Sequence, residues 1–280
     1  PWRNGECTMV VIGLGQAGQN ICESIDNMSN IRTIVLDEGK GIPKSLSHET
    51  YEQNVPKLGK KLKLGKEQDI WFVVCGAGMI ASTTLAILEQ IQDRNVRVAL
   101  ISPDPFLLSK TQTKHNRMVW NVLQEYARSG LLSSVYLFSN RHMESFIGQG
   151  TIDDLYSNIN NGIANFIVTN HWFEKAQPMI GSLYEPQINS VIRTVSLGKI
   201  DDHEENLYFP LDNITEVCYY YSINEERIKN EKNLLTKIKE HVILKREEEK
   251  QASFAIWRND SEYSYFYSIK HTHYIQTEEK

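Results

Sequence analysis

Met9-Val-Val-Ile-Gly-Leu-Gly-Gln-Ala-Gly-Gln-Asn-Ile-Cys-Glu-Ser-Ile25 begins as an unbroken apolar run, passes Gly13, Gly15 and Gly18, and continues with apolar residues at helical spacing. It reads as a strand, a tight turn and a helix with a bare N-terminus. Such a turn lets backbone N–H groups approach a diphosphate, and each favourable charge contact with the helix dipole contributes roughly 0.3–1 kcal/mol. A nucleotide is the first ligand this implies. The same glycines also allow a helix to pack closely on a strand, so the spacing alone leaves a structural reading open.

The rest of the chain sets bounds. With 280 residues, 41% of them hydrophobic, it holds enough apolar material for one large α/β domain or two smaller ones. A net charge of −5 gives no global attraction to nucleic acid or to an anionic membrane. No apolar run approaches the roughly 20 residues that span a bilayer, and the default reading is a cytoplasmic protein. Cys7, Cys22, Cys75 and Cys218 lack C-x-x-C spacing and read as buried small hydrophobes. His271 and His273 share a strand face, but without a third ligand they imply no metal site.

Outward from the opening unit, Ile31-Arg-Thr-Ile-Val-Leu36, Ile70-Trp-Phe-Val-Val-Cys75, Val96-Arg-Val-Ala-Leu-Ile101 and Ser134-Val-Tyr-Leu-Phe138 read as buried strands. Helices are expected at 82–93 and 116–129 between them. Alternation at this spacing predicts a Rossmann-like parallel sheet covered on both faces, with ligands at the carboxyl ends of its strands. Apolar residues at 152, 155, 156, 159, 163, 166 and 167 predict a long helix. A smaller α+β unit follows: a strand at 214–223, an amphipathic helix at 224–249, and two aromatic strands, 252–258 and 263–270, joined as a hairpin. Glu205-Asn-Leu-Tyr-Phe-Pro210 reads as a loop. The expected division is 1–150, 151–175 and 186–280.

This order of elements resembles the tubulin/FtsZ superfamily over nearly the whole chain. Gly13-Leu-Gly-Gln-Ala-Gly-Gln-Asn20 is similar to the first nucleotide loop of that family, in the form found in plasmid and phage members. Asp69-Ile-Trp-Phe-Val-Val-Cys-Gly-Ala-Gly78 resembles the strand entering the glycine-rich signature loop, and Ser102-Pro-Asp-Pro-Phe106 the loop after the next strand. The resemblance implies a GTP or GDP site formed by Gly13, Gly15, Gln16, Ala17, Gly18, Asn20, Gly76, Ala77, Gly78, Asn140 and Asp154, and leaves a Mg2+ ion open. Asn20 and Asn140 fall where the family places asparagines near the guanosine. Asp154 falls where it places an acid or amide on the guanine edge, whose two adjacent N–H donors suit a carboxylate. An acidic residue also belongs in a helix first turn for purely structural reasons. Glu185-Pro-Gln-Ile-Asn-Ser-Val-Ile-Arg-Thr-Val195 resembles the synergy loop and the helix after it, and the terminal segment the activation domain.

Two departures bear on function. The family's signature loop is G-G-G-T-G-[ST]-G, whereas this chain has Gly78-Met-Ile-Ala-Ser-Thr-Thr84. Holding β-branched Ile80 in a glycine-only conformation would cost on the order of 1–3 kcal/mol, so another loop shape is expected. Ser82, Thr83 and Thr84 still offer hydroxyls to an anion. In the synergy segment the position of the family's acid reads Gln187-Ile-Asn189, and Glu185 is the nearest substitute. Hydrolysis needs a water-positioning carboxylate and charge stabilisation at the phosphates, and both are altered.

The resulting expectation is a divergent tubulin/FtsZ-like cytoskeletal protein with weak or vestigial guanine-nucleotide binding and at most weak GTPase activity. It self-associates head to tail into filaments or binds another protein, in the setting of a phage or plasmid. Two alternatives stay open. One is an NAD-dependent oxidoreductase, with Asp37 on the ribose hydroxyls; the other is a nucleotide-free scaffold. Lys57, Lys60, Lys61, Lys63 and Lys66 form a basic loop read first as solvated.

Overall fold

A computed structural model describes residues 9–65, 69–147, 151–201, 204–248 and 251–278. In the first half, β1 (Met9–Leu14), β2 (Arg32–Glu38), β3 (Gly41–Ile42), β4 (Asp69–Cys75), β5 (Val96–Ser102) and β6 (Ser134–Ser139) form a parallel sheet in the order β3-β2-β1-β4-β5-β6. Side chains alternate across it. Val10, Ile12, Phe72, Val74, Val98 and Leu100 face one core with Trp120 and Leu123. Met9, Val11, Trp71, Val73, Ala99 and Ile101 face another with Ile21, Ile163 and Phe166. Burial on both faces explains why these strands read as continuous apolar runs.

The covering helices are α1 (Gly15–Met28), the short α2 (His48–Gln53) and α3 (Gly59–Leu62), then α4 (Thr84–Glu89) and α5 (Lys110–Arg128). α5 starts six residues before the expected 116, because Ser109 and Gln112 form a capping box that satisfies the first N–H groups. The helix expected over 82–93 is shorter. Met79–Thr83 is a 3-10 helix, and only Thr84–Glu89 is α-helical.

After α6 (Asn140–Ile147) comes the long α7 (Ile152–Lys175). Its 24 residues span ~36 Å at ~1.5 Å per residue. α7 leaves the carboxyl end of the sheet and reaches the amino end, where Glu174 pairs with Arg97 near the start of β5 at 2.7 Å. Phe166 packs edge-on to Trp71 and against Tyr136, Phe138 and Tyr267, so one helical face ties both halves of the chain together.

The second half contains β7 (Ile180–Ser182), β8 (Ile192–Lys199), β9 (Glu205–Leu207), β10 (Glu216–Asn224), α8 (Glu225–Asn230), α9 (Leu234–Glu248), β11 (Ala252–Asn259) and β12 (Tyr265–Thr272). The order continues β6-β8-β12-β10-β11-β7, with β9 on β8. Two residue pairs, Val135 with Ile192 and Tyr136 with Arg193, join β6 to β8.

Four expectations are corrected here. β11 and β12 do not pair as a hairpin: β10 lies between them, parallel to β11 and antiparallel to β12. β10 is buried on both faces, and such a strand belongs inside a sheet with a partner on each side. The helix expected over 224–249 is two helices; Glu231 turns to extended backbone, and its carboxylate takes Arg227 and Lys237 across the break, each at 2.6 Å. No helix follows the 185–190 loop, because Ile192–Lys199 alternates as a strand bonded on both sides. The 205–210 loop is instead β9, followed by the buried Tyr208 and Phe209.

Candidate nucleotide site

Register aligns the carboxyl ends of the parallel strands: Leu14 lies opposite Val74, Cys75 opposite Ile101, and Ser102 opposite Ser139. The segments that follow these strands therefore share one end of the sheet. They carry Gly15, Gln16, Ala17, Gly18 and Asn20; Gly76, Ala77 and Gly78; and Asn140, with Gly13 just inside β1. Asp154, on the first turn of α7, belongs to the same end, since Tyr156 two residues on feels the charge of Asp104 in the segment after β5. These residues lie on segments at one end of the sheet.

The glycines divide the work. A Cβ on Gly13 would lie 2.3 Å from the Gly18 carbonyl oxygen, and one on Gly18 2.7 Å from the Gly13 Cα, so these two let α1 pack on β1. Gly15 has φ +68 and turns the chain into the helix, a conformation that disfavours any other residue. The first turn of α1 has no side-chain cap and no acidic residue. Its leading N–H groups are thus left for an external acceptor. Gln16 donates to Asn20 Oδ1 at 2.7 Å along the exposed face of that helix.

The segment from Gly76 to Thr84 takes another form than a glycine loop. Its 3-10 turn contains no left-handed residue, and Ile80 lies against Gly15, where an added Cβ would meet Ile80 Cγ2 at 2.9 Å. Thr83 and Thr84 are buried, with Thr83 Oγ1 donating to the Ile80 carbonyl at 2.7 Å. Ser82 is half-buried. Its Oγ lies 2.9 Å from His48 Nδ1 and 3.0 Å from His115 Nε2, while His115 Nδ1 reaches the Gly76 carbonyl at 2.7 Å. The two imidazole centroids lie 4.0 Å apart, with the rings tilted by 34°. Burial first, and then the neighbouring His48, holds His115 below the usual histidine range.

A second group arrives from the far end of the chain. After β12 the terminal segment climbs α5: Gln276 exchanges hydrogen bonds with Gln124 at 2.8 and 3.0 Å and accepts from Trp120 Nε1 at 2.9 Å. Asn116 Nδ2 then donates to Glu278, whose carboxylate is buried beside the strand ends. His48, His115 and Glu278 were not legible from the sequence. They lie tens to hundreds of residues from their partners, and no spacing rule links them.

Asn140 begins α6 directly after β6, and its Oδ1 is buried without a hydrogen-bond partner among the described residues. Asp154 is committed locally: Oδ2 accepts from Thr151 N at 3.3 Å and Oγ1 at 2.7 Å, closing the capping box of α7. These bonds hold its carboxyl below the usual range. Asp37 Oδ1 accepts from the Glu38 N–H at 2.8 Å. Of the lysine loop, Lys57 and Lys63 are exposed, and the carbonyl of Lys63 accepts from Arg32 at 3.0 Å; Lys66 lies outside the described residues. Among the described residues no group of three or more His, Cys, Asp or Glu side chains could hold a metal, and no helix is long and apolar enough to cross a membrane.

Glu185 is exposed in the segment before β8, at the opposite, amino end of the sheet, fixed there by the pairing of Ile192 with Val135. Gln187 and Asn189 are exposed as well. Buried Glu216 also reaches this segment and accepts from the Gln187 N–H.

No protein-family model matches the chain, and no curated protein sequence matches it. Solved structures do. A GTPγS-bound protofilament of CetZ2 from Haloferax volcanii superposes with a TM-score of 0.67 at 12% identity, covering 94% of this chain and 92% of that one. The chain has the tubulin/FtsZ fold. A GTPγS-form protofilament of TubZ from Bacillus thuringiensis serovar israelensis gives 0.67 at 12% identity, covering 94% and 86%. An empty FtsZ dimer from M. jannaschii gives 0.65 at 9%, covering 96% and 89%. The oxidoreductase alternative is not favoured.

Proposed function

We propose that this is a divergent tubulin/FtsZ-like protein that holds a guanine nucleotide weakly at the carboxyl end of its sheet and associates head to tail. The observation carrying the nucleotide reading is the uncapped first turn of α1 behind the positive-φ Gly15, an anion-ready helix end at the ligand side of a parallel sheet. The unpartnered Asn140 Oδ1 supplies an acceptor for a base N–H at the same end. Weak binding follows from Ile80, which brings an apolar branched side chain to the cradle where polar backbone would serve an anion better.

Association rests on exposed apolar side chains at both ends. Phe106 and Leu107 are 91% and 59% exposed in the segment after β5, and Ile188 and Tyr184 are 94% and 57% exposed at the opposite end. A contact joining one end to the other does not close on itself and propagates into a filament. Hydrolysis is impaired in this reading, because the opposite end presents the amides Gln187 and Asn189 where a neighbour's nucleotide would need a carboxylate.

Sedimentation of the protein with GTP, with GDP and without nucleotide, together with chromatography of nucleotide extracted from it, tests both parts. Pelleting that depends on nucleotide supports the reading. A strict monomer at high concentration in all three conditions rejects assembly, and tight NADH binding without guanine binding reverses the ligand.

A further inference from the structure

His48, Ser82 and His115 come from three separate elements and converge on a single hydroxyl at the ligand end of the sheet. Their proton positions follow from one fixed point. The Gly76 carbonyl can only accept, so His115 Nδ1 carries the hydrogen of that 2.7 Å bond. A neutral imidazole protonated at Nδ1 has a bare Nε2, which therefore accepts from Ser82 Oγ–H at 3.0 Å. Ser82 Oγ in turn accepts from His48 Nδ1–H at 2.9 Å. The chain of donors runs His48 to Ser82 to His115 to Gly76. A hydroxyl bonded to an imidazole whose tautomer is set by a third group has the arrangement of an activated nucleophile. Burial favours the neutral, basic form of His115.

The position matters as much as the chemistry. Ser82 is two residues from Ile80, which touches Gly15 at the start of the uncapped α1. Of the three hydroxyls in the segment, only Ser82 is not fully buried. A nucleotide phosphate seated on α1 would meet the segment that carries this hydroxyl.

We propose that Ser82 is a phosphoryl acceptor: it takes the terminal phosphoryl group of a bound nucleoside triphosphate in a single self-modifying turnover, with His115 as general base. The proposal rests on the nucleotide reading above. In the step, Ser82 Oγ forms a bond to the γ-phosphorus while the bond from that phosphorus to the β–γ bridging oxygen breaks. The nucleoside diphosphate leaves with the bond's electron pair, and the hydroxyl proton passes to His115 Nε2. The product is a phosphoserine in place of a hydrolysed phosphate. A loop that has lost its glycines thus keeps a use for the triphosphate.

The full chain, freed of nucleotide, is incubated with Mg2+ and GTP labelled either at the α- or at the γ-phosphate. The expected result is α-label held only in the native protein, and γ-label that survives denaturation in acid and maps to Ser82 by mass spectrometry. Ser82→Ala loses this label, Ser82→Thr keeps it, and His115→Gln slows its appearance by about 100-fold or more, the scale of a lost general base. Native α-label without covalent γ-label overturns the proposal alone. A label that acid removes but alkali does not overturns it too, because the acceptor is then an imidazole. Absence of α-label overturns the nucleotide reading and the proposal together. Mapping in the unmodified chain keeps the outcome decisive even where Ser82→Ala fails to fold.

Discussion

The backbone N–H of Gln187 donates to both carboxylate oxygens of Glu216, at 3.0 and 3.2 Å, and so ties a buried acid to the backbone of the exposed end segment. Ser190 is held in the same way, its carbonyl facing His271 Nδ1 at 3.4 Å. The 187–190 turn is thus a fixed surface. Glu216→Ala leaves the Gln187 N–H without its partner and is expected to cost about 1–3 kcal/mol, read as a lower midpoint in chemical unfolding.

Ile80 against Gly15 makes a separate prediction. Ile80→Gly removes the side chain from the cradle and is expected to tighten GDP binding about tenfold, equivalent to about 1.4 kcal/mol, measured by titration calorimetry. Unchanged affinity would place the phosphates elsewhere.

The two exposed ends are expected to act as one contact. Phe106→Asp or Ile188→Asp alone should abolish pelleting, since each places a charge in a joint that forms between an end of one copy and the opposite end of the next. A mixture of the two variants retains one intact pair of ends and should form dimers but no filaments, resolved by analytical ultracentrifugation.

Acid should weaken the protein through His271. Full burial, with Arg193 adding to it, holds this imidazole well below the ordinary 6.5. The unfolded chain takes up a proton near that value and the folded chain does not. Stability is therefore whole above it and falls as pH drops below it. His271→Leu should flatten the loss of stability between pH 6.5 and about pH 5, followed by urea midpoints.

Glu278 acts with the opposite sign. Desolvation raises its carboxyl above the ordinary 4.5, only partly offset by the bond from Asn116. Its contribution is fully present below that value and is lost as pH rises through the raised one. Glu278→Gln should raise the melting temperature at pH 7 and leave it nearly unchanged at about pH 4.

The parallel strands were legible because burial on both faces writes itself as unbroken apolar runs such as Ile70 to Cys75. α7 was legible by its periodicity over many turns. The shorter elements were not. Six residues of α4 are too few to separate a helix from the 3-10 turn before it, and the early start of α5 lay in the Ser109 and Gln112 capping box among polar residues. The hairpin expected of β11 and β12 failed because proximity in sequence says nothing about which strand a sheet places in its middle.

For the site, the sequence by itself determined Gly13, Gly15 and Gly18, because steric demands at a strand-to-helix turn act between near neighbours and leave a fixed spacing. It also determined that Ile80 would refuse a glycine conformation. Tertiary structure alone decided what replaced that loop: His48 and His115 around Ser82, Ile80 over Gly15, and Glu278 beneath Asn116. Those contacts arise where separate elements meet, and hydrogen-bond geometry between elements is set by packing rather than by any local pattern of residues.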